Sequence, residues 1–336
     1  MPIVPALGAP STGPTFTLAT ESDQDDLTQI HVTAPTVSAS SGTLLYSWTG
    51  MHSGATTFST TGLGDTTTST PTVTLTKGGP VALRCAITDD NGTVTVEKVV
   101  CHIGIQRLGY WFVEVFRLSR YTGSSIDLQA AGTGTQSLAG AGNAGGSIDV
   151  EITGAVASAT ACTLSGSGFS LTASGTGGNV EVPYTNAYSA WAGEPIWFEV
   201  IAAGDYSTSG NQVKVYHADS DGSDREGVQR RNTSGTVRVD GVKRVTAGTE
   251  ANDALVSPQN STCVLGALLL SDGETRKYSD TGTAFSDTAT QVAVSGRSRD
   301  DSGSAYNWDP EKVVVNLSDA GGDTLTVPDM RMLVAL

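Results

Sequence analysis

The sequence has few charged residues, few aromatic residues and no long apolar run. Charged residues make up 16% and aromatic residues 6% of the 336 residues. A membrane-spanning helix needs about 20 consecutive apolar residues, and no such segment occurs. Nor does any long segment repeat apolar residues with helical spacing. The sequence therefore predicts neither a membrane-inserted protein nor a helical domain.

Basic residues and cysteines are also scarce. The chain has 19 basic and 34 acidic residues, a net charge of −15, and its basic residues form no stripe that would bind nucleic acid. Its four cysteines, Cys85, Cys101, Cys162 and Cys263, show no CxxC spacing. A zinc site or a disulfide framework is thus not indicated, and we predict free thiols.

Known catalytic motifs are missing as well. The four histidines have no neighbouring nucleophile in a recognisable motif. Gly140 to Gly145 matches the dinucleotide pattern G-x-G-x-x-G, but a strand-like segment follows it where a phosphate-binding helix would be needed. The sequence therefore predicts a protein that is not an enzyme and has no organic cofactor.

What is present is typical of an all-β protein. There are 40 glycines, and β-branched and aromatic residues recur in strand-sized clusters between Gly, Ser and Thr turns. More than ten such clusters follow residue 106, which predicts a jelly-roll-like sandwich over 106–336. Two smaller sandwiches that divide near 246–258 are the alternative. The clearest hairpin there is Thr236 to Val245, with its turn predicted at Asp240-Gly241.

The most informative segment of the first half is Val81 to Cys101. Val81, Leu83, Cys85 and Ile87 alternate with other residues as on one strand face, and Asn91-Gly92 predicts a hairpin turn. Pairing about that turn places Cys85 opposite Lys98 and Cys101 on the other face, which disfavours a disulfide.

Three elements together resemble a known family: the strand Tyr46 to Trp48, a Thr-Pro-Thr-Val-Thr-Leu strand, and the hairpin that contains Asp89 to Gly92. They resemble the PKD and immunoglobulin-like sandwich domains over residues 15–105. The resemblance implies an immunoglobulin-like sandwich with Trp48 in its core. The predicted fold class is therefore all-β, with this sandwich followed by the larger jelly-roll-like one.

Residues 1–14 contain four prolines, which predicts an extended arm, with Ile3, Val4 and Leu7 as its contacts to another chain. The N-terminus shows no signal-peptide pattern. An adhesin-like composition without a signal predicts a bacteriophage virion structural protein, assembled in the host cytoplasm: a capsid decoration (cement) or head or tail appendage subunit. Its expected partners are major capsid or tail proteins and copies of itself, as a homotrimer. The alternative is a receptor-binding fibre or a carbohydrate-binding adhesin.

Two further patterns predict binding sites. Aromatic residues beside Asp and Asn suit the stacking of sugar rings, and the candidates are Tyr184, Tyr188, Trp191, Tyr306 and Trp308. An acidic loop around a glycine supplies oxygen ligands of the kind that calcium prefers; its candidates are Asp219, Asp221, Asp224 and Glu226. Calcium is the one metal that the sequence suggests.

Overall fold

The structure is a computed structural model that describes 26 strands and three short helices in two compact units. Unit 1 comprises Met1–Glu114 with Ala335–Leu336, and unit 2 comprises Val115–Val334. The boundaries predicted at residues 14, 105 and 246–258 stay predictions.

The described residues are 15–17, 29–33, 42–52, 57–60, 63–64, 66–70, 72–74, 79–103, 105–107, 110–142, 145–153, 161–172, 175–222, 224–244, 251–256, 262–280, 282–285, 292–295, 309–319 and 323–335. The arm residues Ile3, Val4 and Leu7 lie outside them.

Unit 1 contains two antiparallel sheets, with the strand orders β1-β2-β5-β4 and β3-β6-β7. Trp48, Leu83, Cys85 and Ile87 are fully buried, and the Trp48 indole donates a hydrogen bond to the Thr68 carbonyl at 2.9 Å. The prediction that Trp48 belongs to the core is confirmed. The strands are β1 (Thr15–Thr17), β2 (Gln29–Thr33), β3 (Leu45–His52), β4 (Leu63–Gly64), β5 (Thr72–Thr74), β6 (Gly79–Asp89), β7 (Gly92–Ile103), β8 (Ile105–Arg107) and β9 (Tyr110–Arg117), of which β9 continues into unit 2.

The hairpin between β6 and β7 turns one residue earlier than the sequence predicted. Asp90 and Asn91 form the turn, and Gly92 already belongs to β7. The Asp89 carboxylate accepts hydrogen bonds from the backbone N–H groups of Asn91 at 2.8 Å and Gly92 at 3.1 Å, which fixes this turn. Cys85 therefore pairs with Val96 and not with Lys98.

Unit 2 is built from two large antiparallel sheets. One has the order β11-β12-β15-β24-β17-β18-β19-β20, and the other runs β10-β13-β14-β25-β16-β21-β22-β23, with β26 also paired to β16. The elements are a 3₁₀ helix (Leu118–Arg120), β10 (Ile126–Asp127), α1 (Leu128–Ala131), β11 (Gly134–Leu138), β12 (Ile148–Thr153), β13 (Ala161–Ser165), β14 (Gly168–Thr172), β15 (Gly175–Pro183), α2 (Tyr184–Ala187), β16 (Ile196–Gly204), β17 (Gln212–Ala218), β18 (Arg225–Thr233), β19 (Thr236–Arg244), β20 (Ala251–Val256), β21 (Cys263–Leu269), β22 (Thr275–Asp280), β23 (Val292–Ser295), β24 (Lys312–Asp319), β25 (Thr324–Val327) and β26 (Met330–Ala335).

The interior of unit 2 lies between these sheets. Val213 and Val215 of β17 are buried, and the next side chain on the same strand face, His217, reaches the Ala267 carbonyl of β21 in the other sheet. The predicted fold class, an immunoglobulin-like sandwich followed by a larger jelly-roll-like sandwich, is confirmed. The resemblance to the PKD family stays a prediction. Among the described residues, no helix has the length and apolar character to cross a membrane.

The prediction of a hairpin turn at Asp240-Gly241 is wrong. Both residues lie within β19, and the turn that joins it to β18 is Ser234-Gly235, with φ angles of 52° and 84°. These positive angles suit the tight turn of a two-residue hairpin. Asp240 is fully buried in mid-strand, where it forms ion pairs with Arg231 and Arg238. The Asp-Gly pair resembles a turn locally, but its pairing with β18 determines its structure.

Candidate functional site

The acidic loop does not form the predicted calcium site. Glu226 is 1% exposed and faces the sandwich interior, 3.8 Å from the Lys277 ammonium and 4.0 Å from that of Lys243. Asp219 accepts a hydrogen bond from the Asp224 backbone N–H at 3.2 Å, so these two close the turn between β17 and β18. Within the described part of the chain, no group of three His, Cys, Asp or Glu side chains could hold a metal ion. The four predicted ligands are thus not gathered around one point.

Tyr184 is buried and does not offer the exposed ring that the sequence predicted. It begins α2 directly after β15, is 1% exposed, and places its hydroxyl 2.6 Å from Nδ1 of His217. His217 Nε2 lies 3.0 Å from the Ala267 carbonyl, which only accepts hydrogen bonds. Burial lowers the pKa of His217 to about 4, so the ring is neutral with its proton on Nε2. Nδ1 therefore accepts from Tyr184, and the tyrosine is fixed to the interior.

Trp191 rests on this fixed tyrosine. The two rings meet edge to face, with their centroids 4.8 Å apart. The Trp191 indole N–H donates to the Glu194 carbonyl at 3.0 Å, and its backbone N–H donates to the Tyr188 carbonyl at 2.9 Å. Contacts thus run from the core through His217 and Tyr184 to a tryptophan that is only partly buried. The core positions Trp191, so its ring is held in place at the surface.

Trp191 lines a cleft of about 430 Å³, together with residues of β12, the end of β15 and the start of β24. That volume is within the usual range for small-molecule pockets. Backbone hydrogen bonds bring its walls together, because Tyr184 N–H donates to the Glu311 carbonyl at 2.9 Å and Glu311 N–H donates to the Ala218 carbonyl at 2.8 Å. The side chains in its lining include Glu151, Thr185, Trp191, Asp309, Glu311 and Lys312.

A pair of neighbouring glutamates lies at this cleft, with Glu151 in its lining and Glu181 outside the lining. Glu151 on β12 and Glu181 on β15 are register partners on neighbouring antiparallel strands, so their Cβ atoms are about 5 Å apart. Glu181 is 5% exposed; its Oε2 lies 2.7 Å from the Lys312 ammonium, and its Oε1 accepts from the Thr153 hydroxyl. Glu151 lines the cleft and forms no ion pair with any described residue. One carboxylate of the pair is fixed, and its neighbour is open to the cleft.

The ammonium of Lys312 already has two partners within the protein. Besides Glu181, it donates to the Ser220 carbonyl at 2.8 Å. Asp309 and Glu311 are exposed and line the same cleft, and neither forms an ion pair within the described residues. Of the described residues in the lining, only Lys312 is basic. The cleft is therefore acidic, with one aromatic wall.

The sequence predicted part of this site. Trp191 lines the cleft, Tyr188 is half-buried outside the lining, and Tyr306 and Trp308 lie outside the described residues. Glu151, Glu181, Glu311 and Lys312 were not predicted. The sequence does contain a pattern that marks the two glutamates. The segments Val-Glu-Ile and Val-Glu-Val each place a glutamate between two apolar residues of a strand. Only the strand register shows that these two glutamates are neighbours.

No family model and no curated protein matches this chain. Solved structures do match it. The GH43 protein BlXynB from Bacillus licheniformis is 10% identical with a TM-score of 0.40, over 77% of this chain and 51% of its own. An uncharacterised protein from Mycobacterium paratuberculosis is 16% identical with a TM-score of 0.33, over 51% and 84%. A β-1,3-glucanase from Mycobacterium marinum is 15% identical with a TM-score of 0.32, over 51% and 76%.

These findings contradict the predicted function. Several of the similar structures are named as glycoside hydrolases, which are carbohydrate-active enzymes. The prediction of a non-enzymatic bacteriophage virion structural protein is therefore wrong, and so are its capsid-decoration form and the fibre or adhesin alternative. At such identities, and with TM-scores below 0.5, the likeness assigns no activity to this chain. The function must be argued from the cleft.

Proposed function

We propose that this protein is a carbohydrate-active enzyme that hydrolyses a glycosidic bond in the cleft beside Trp191. The observation that carries the proposal is the pair Glu151 and Glu181 on neighbouring strands. Glu151 lines the cleft together with Trp191, and Glu181 lies outside the lining, ion-paired with its Lys312. Hydrolysis of a glycosidic bond needs two carboxyl groups, one to protonate the leaving oxygen and one to stabilise or attack the sugar carbon. The Trp191 indole in the same lining is an aromatic ring on which a sugar ring would stack.

The two glutamates have different surroundings, and this assigns their roles. Glu181 is the fixed carboxylate of the pair, ion-paired with Lys312 and hydrogen-bonded by Thr153. It lies outside the lining, and we assign it the electrostatic stabilisation of the positive charge that develops at the sugar carbon. Glu151, with no ion pair among the described residues, gives its proton to the leaving oxygen and then takes one from the attacking water.

The test is hydrolysis of a glycan panel by the full chain and its variants. Oligosaccharides of xylose, of β-1,3-linked glucose and of glucosamine are incubated with protein, and new reducing ends are counted. Glu151→Gln and Glu181→Gln should each lower kcat by at least about a hundredfold, because each removes one of the two carboxyl groups. Trp191→Ala should raise KM more than it lowers kcat, because stacking binds substrate before the reaction.

Matched controls come from the same elements. Asp149→Asn changes an exposed carboxylate two residues from Glu151 on β12, and Tyr188→Ala changes an aromatic residue beside the cleft but outside its lining. Both should keep wild-type activity. Circular dichroism and thermal unfolding must show that every variant is folded. Folded wild-type protein that cleaves no glycan, or a Glu151→Gln variant with full activity, would overturn the proposal.

A further inference from the structure

We infer that the cleft selects sugars that carry an ammonium group, as in oligosaccharides of glucosamine, over neutral sugars and uronic acids. This inference rests on the proposed function and concerns the substrate class of the same site. Two features of the cleft that are chemically independent favour a positive charge on the ligand. One is the charge balance of its lining, and the other is its aromatic wall.

The charge balance follows from the contacts of Lys312. Its ammonium lies 2.7 Å from Glu181 and 2.8 Å from the Ser220 carbonyl, so it is neutralised by the protein itself. Asp309 and Glu311 are exposed in the same lining and unpaired among the described residues. A ligand ammonium would form charge-assisted hydrogen bonds with these two carboxylates. A uronate would meet repulsion from the same groups.

The aromatic wall adds an attraction of a different kind. Trp191 is fixed by its edge-to-face contact with Tyr184 and by its hydrogen bond to Glu194. Trp is the aromatic side chain that attracts a cation most strongly over its ring face. Carboxylates beside an indole form the combination that recognises ammonium groups. A neutral sugar would only stack on Trp191. A uronate would also stack on Trp191, but the acidic side chains of the cleft would repel its carboxylate.

The experiment compares three ligands of equal length with the full chain. They are the tetramer of glucosamine, its N-acetylated form with the same linkages, and a tetramer of galacturonate. Calorimetry is done at a pH at which the sugar amine is protonated, with Glu151→Gln protein so that no ligand is cleaved. We expect the glucosamine tetramer to bind at least about tenfold more tightly than its acetylated form, because a charge-assisted hydrogen bond is worth that much. High salt should reduce the difference.

Variants of Asp309 and Glu311 test whether these two carboxylates cause the preference for glucosamine. Asp309→Asn together with Glu311→Gln should remove the preference for glucosamine while binding of the acetylated tetramer changes less than about threefold, since stacking on Trp191 remains. Asp149→Asn should leave the preference intact. If neither tetramer binds, this inference is overturned, and the proposed function is decided by the hydrolysis assay with xylose and β-1,3-linked glucose oligosaccharides. If both tetramers bind equally, or a lysine-rich peptide binds as tightly as glucosamine, the proposed function stands or falls on the hydrolysis assay and this inference is overturned.

Discussion

His217 and Glu226 lie directly opposite each other on β17 and β18, and both side chains face the interior of the second sandwich. Burial drives their titration in opposite directions. It lowers the pKa of His217 to about 4, although the bond to the Ala267 carbonyl opposes the change. It raises the pKa of Glu226 to about 7, although Lys277 and Lys243 oppose that change. Each group is thus held in its neutral form at weakly acidic pH.

The two groups give opposite dependences of stability on pH. The unfolded chain protonates histidine as the pH falls through 6.5, whereas folded His217 does so near pH 4, so His217 costs stability as the pH falls across this window. The unfolded chain ionises glutamate near pH 4.5, whereas folded Glu226 does so near pH 7, so Glu226 costs stability as the pH rises. Across its own pH window, each group changes the free energy of unfolding by about 3 kcal/mol.

Replacing Glu226 should separate these effects. We expect Glu226→Gln to gain up to about 3 kcal/mol over wild type on going from pH 4.5 to pH 7, because it removes the cost of ionising a buried carboxyl group. Urea unfolding across this pH range measures the difference. Glu311→Gln removes an exposed carboxylate and should show no such trend. A constant difference between Glu226→Gln and wild type over the window would contradict the assignment.

The sequence predicted local structure better than pairing. Alternation of apolar residues located the buried face of Leu83, Cys85 and Ile87, because burial on one strand face leaves a direct trace in sequence. The Asp240-Gly241 turn was wrong because Asp240 is stabilised by Arg231 and Arg238. Those ion pairs depend on a hairpin whose register is set elsewhere, at Ser234-Gly235.

The site shows the same limit. Trp191 could be predicted because an aromatic residue in a polar segment is unusual. Tyr184 belongs to the same aromatic cluster in the sequence, and there the prediction of an exposed ring was wrong. Tyr184 is buried because His217, 33 residues away, offers it a hydrogen-bond acceptor in the interior. The neighbouring positions of Glu151 and Glu181 likewise depend on a pairing that spans 30 residues. Such contacts leave no periodic signal.

The hydroxyl of Tyr184 stabilises the fold through His217. Tyr184→Phe should cost about 1 to 3 kcal/mol, because it leaves Nδ1 of a buried, neutral histidine without a hydrogen-bond donor. The ring remains, so the edge-to-face contact with Trp191 should persist and glycan binding should change little. Chemical unfolding measures the first effect and calorimetry the second. Tyr188→Phe, which changes a half-buried tyrosine, serves as the control and should cost less than about 0.5 kcal/mol. Equal stability of the two variants would count against the bond.

The described cysteines should be free but unreactive in the folded protein. Cys85, Cys162 and Cys263 are buried free thiols, and burial raises their pKa values to about 12, 11 and 11. Since the thiolate is the reactive form, we expect a thiol reagent to modify them only after denaturation. At least three thiols should then be counted without any reductant. Rapid modification of native protein at these three positions, identified by mass spectrometry, would show that the interior is more open than the structure describes.

Glu199 and Arg331 form a buried ion pair that should stabilise the fold only as a pair. They are register partners on β16 and β26, 0% and 3% exposed, with Arg331 Nε donating to Glu199 Oε2 at 2.7 Å. The guanidinium also lies 4.6 Å from the centre of the Phe285 ring. Arg331→Met should cost about 3 to 5 kcal/mol, because it removes the Arg331 charge from beside the buried Glu199 carboxylate.

The double variant Glu199→Met with Arg331→Met decides whether charge or packing is responsible. Without either charge, the desolvation cost disappears, and two methionines can fill much of the same volume. We therefore expect the double variant to recover most of the stability that Arg331→Met loses, measured as a double-mutant cycle by urea unfolding. The loss of the Phe285 contact is common to both variants and cancels in their comparison. If the double variant is as unstable as Arg331→Met, packing of the guanidinium against Phe285 would be the larger contribution, and the charge pair would not account for the loss.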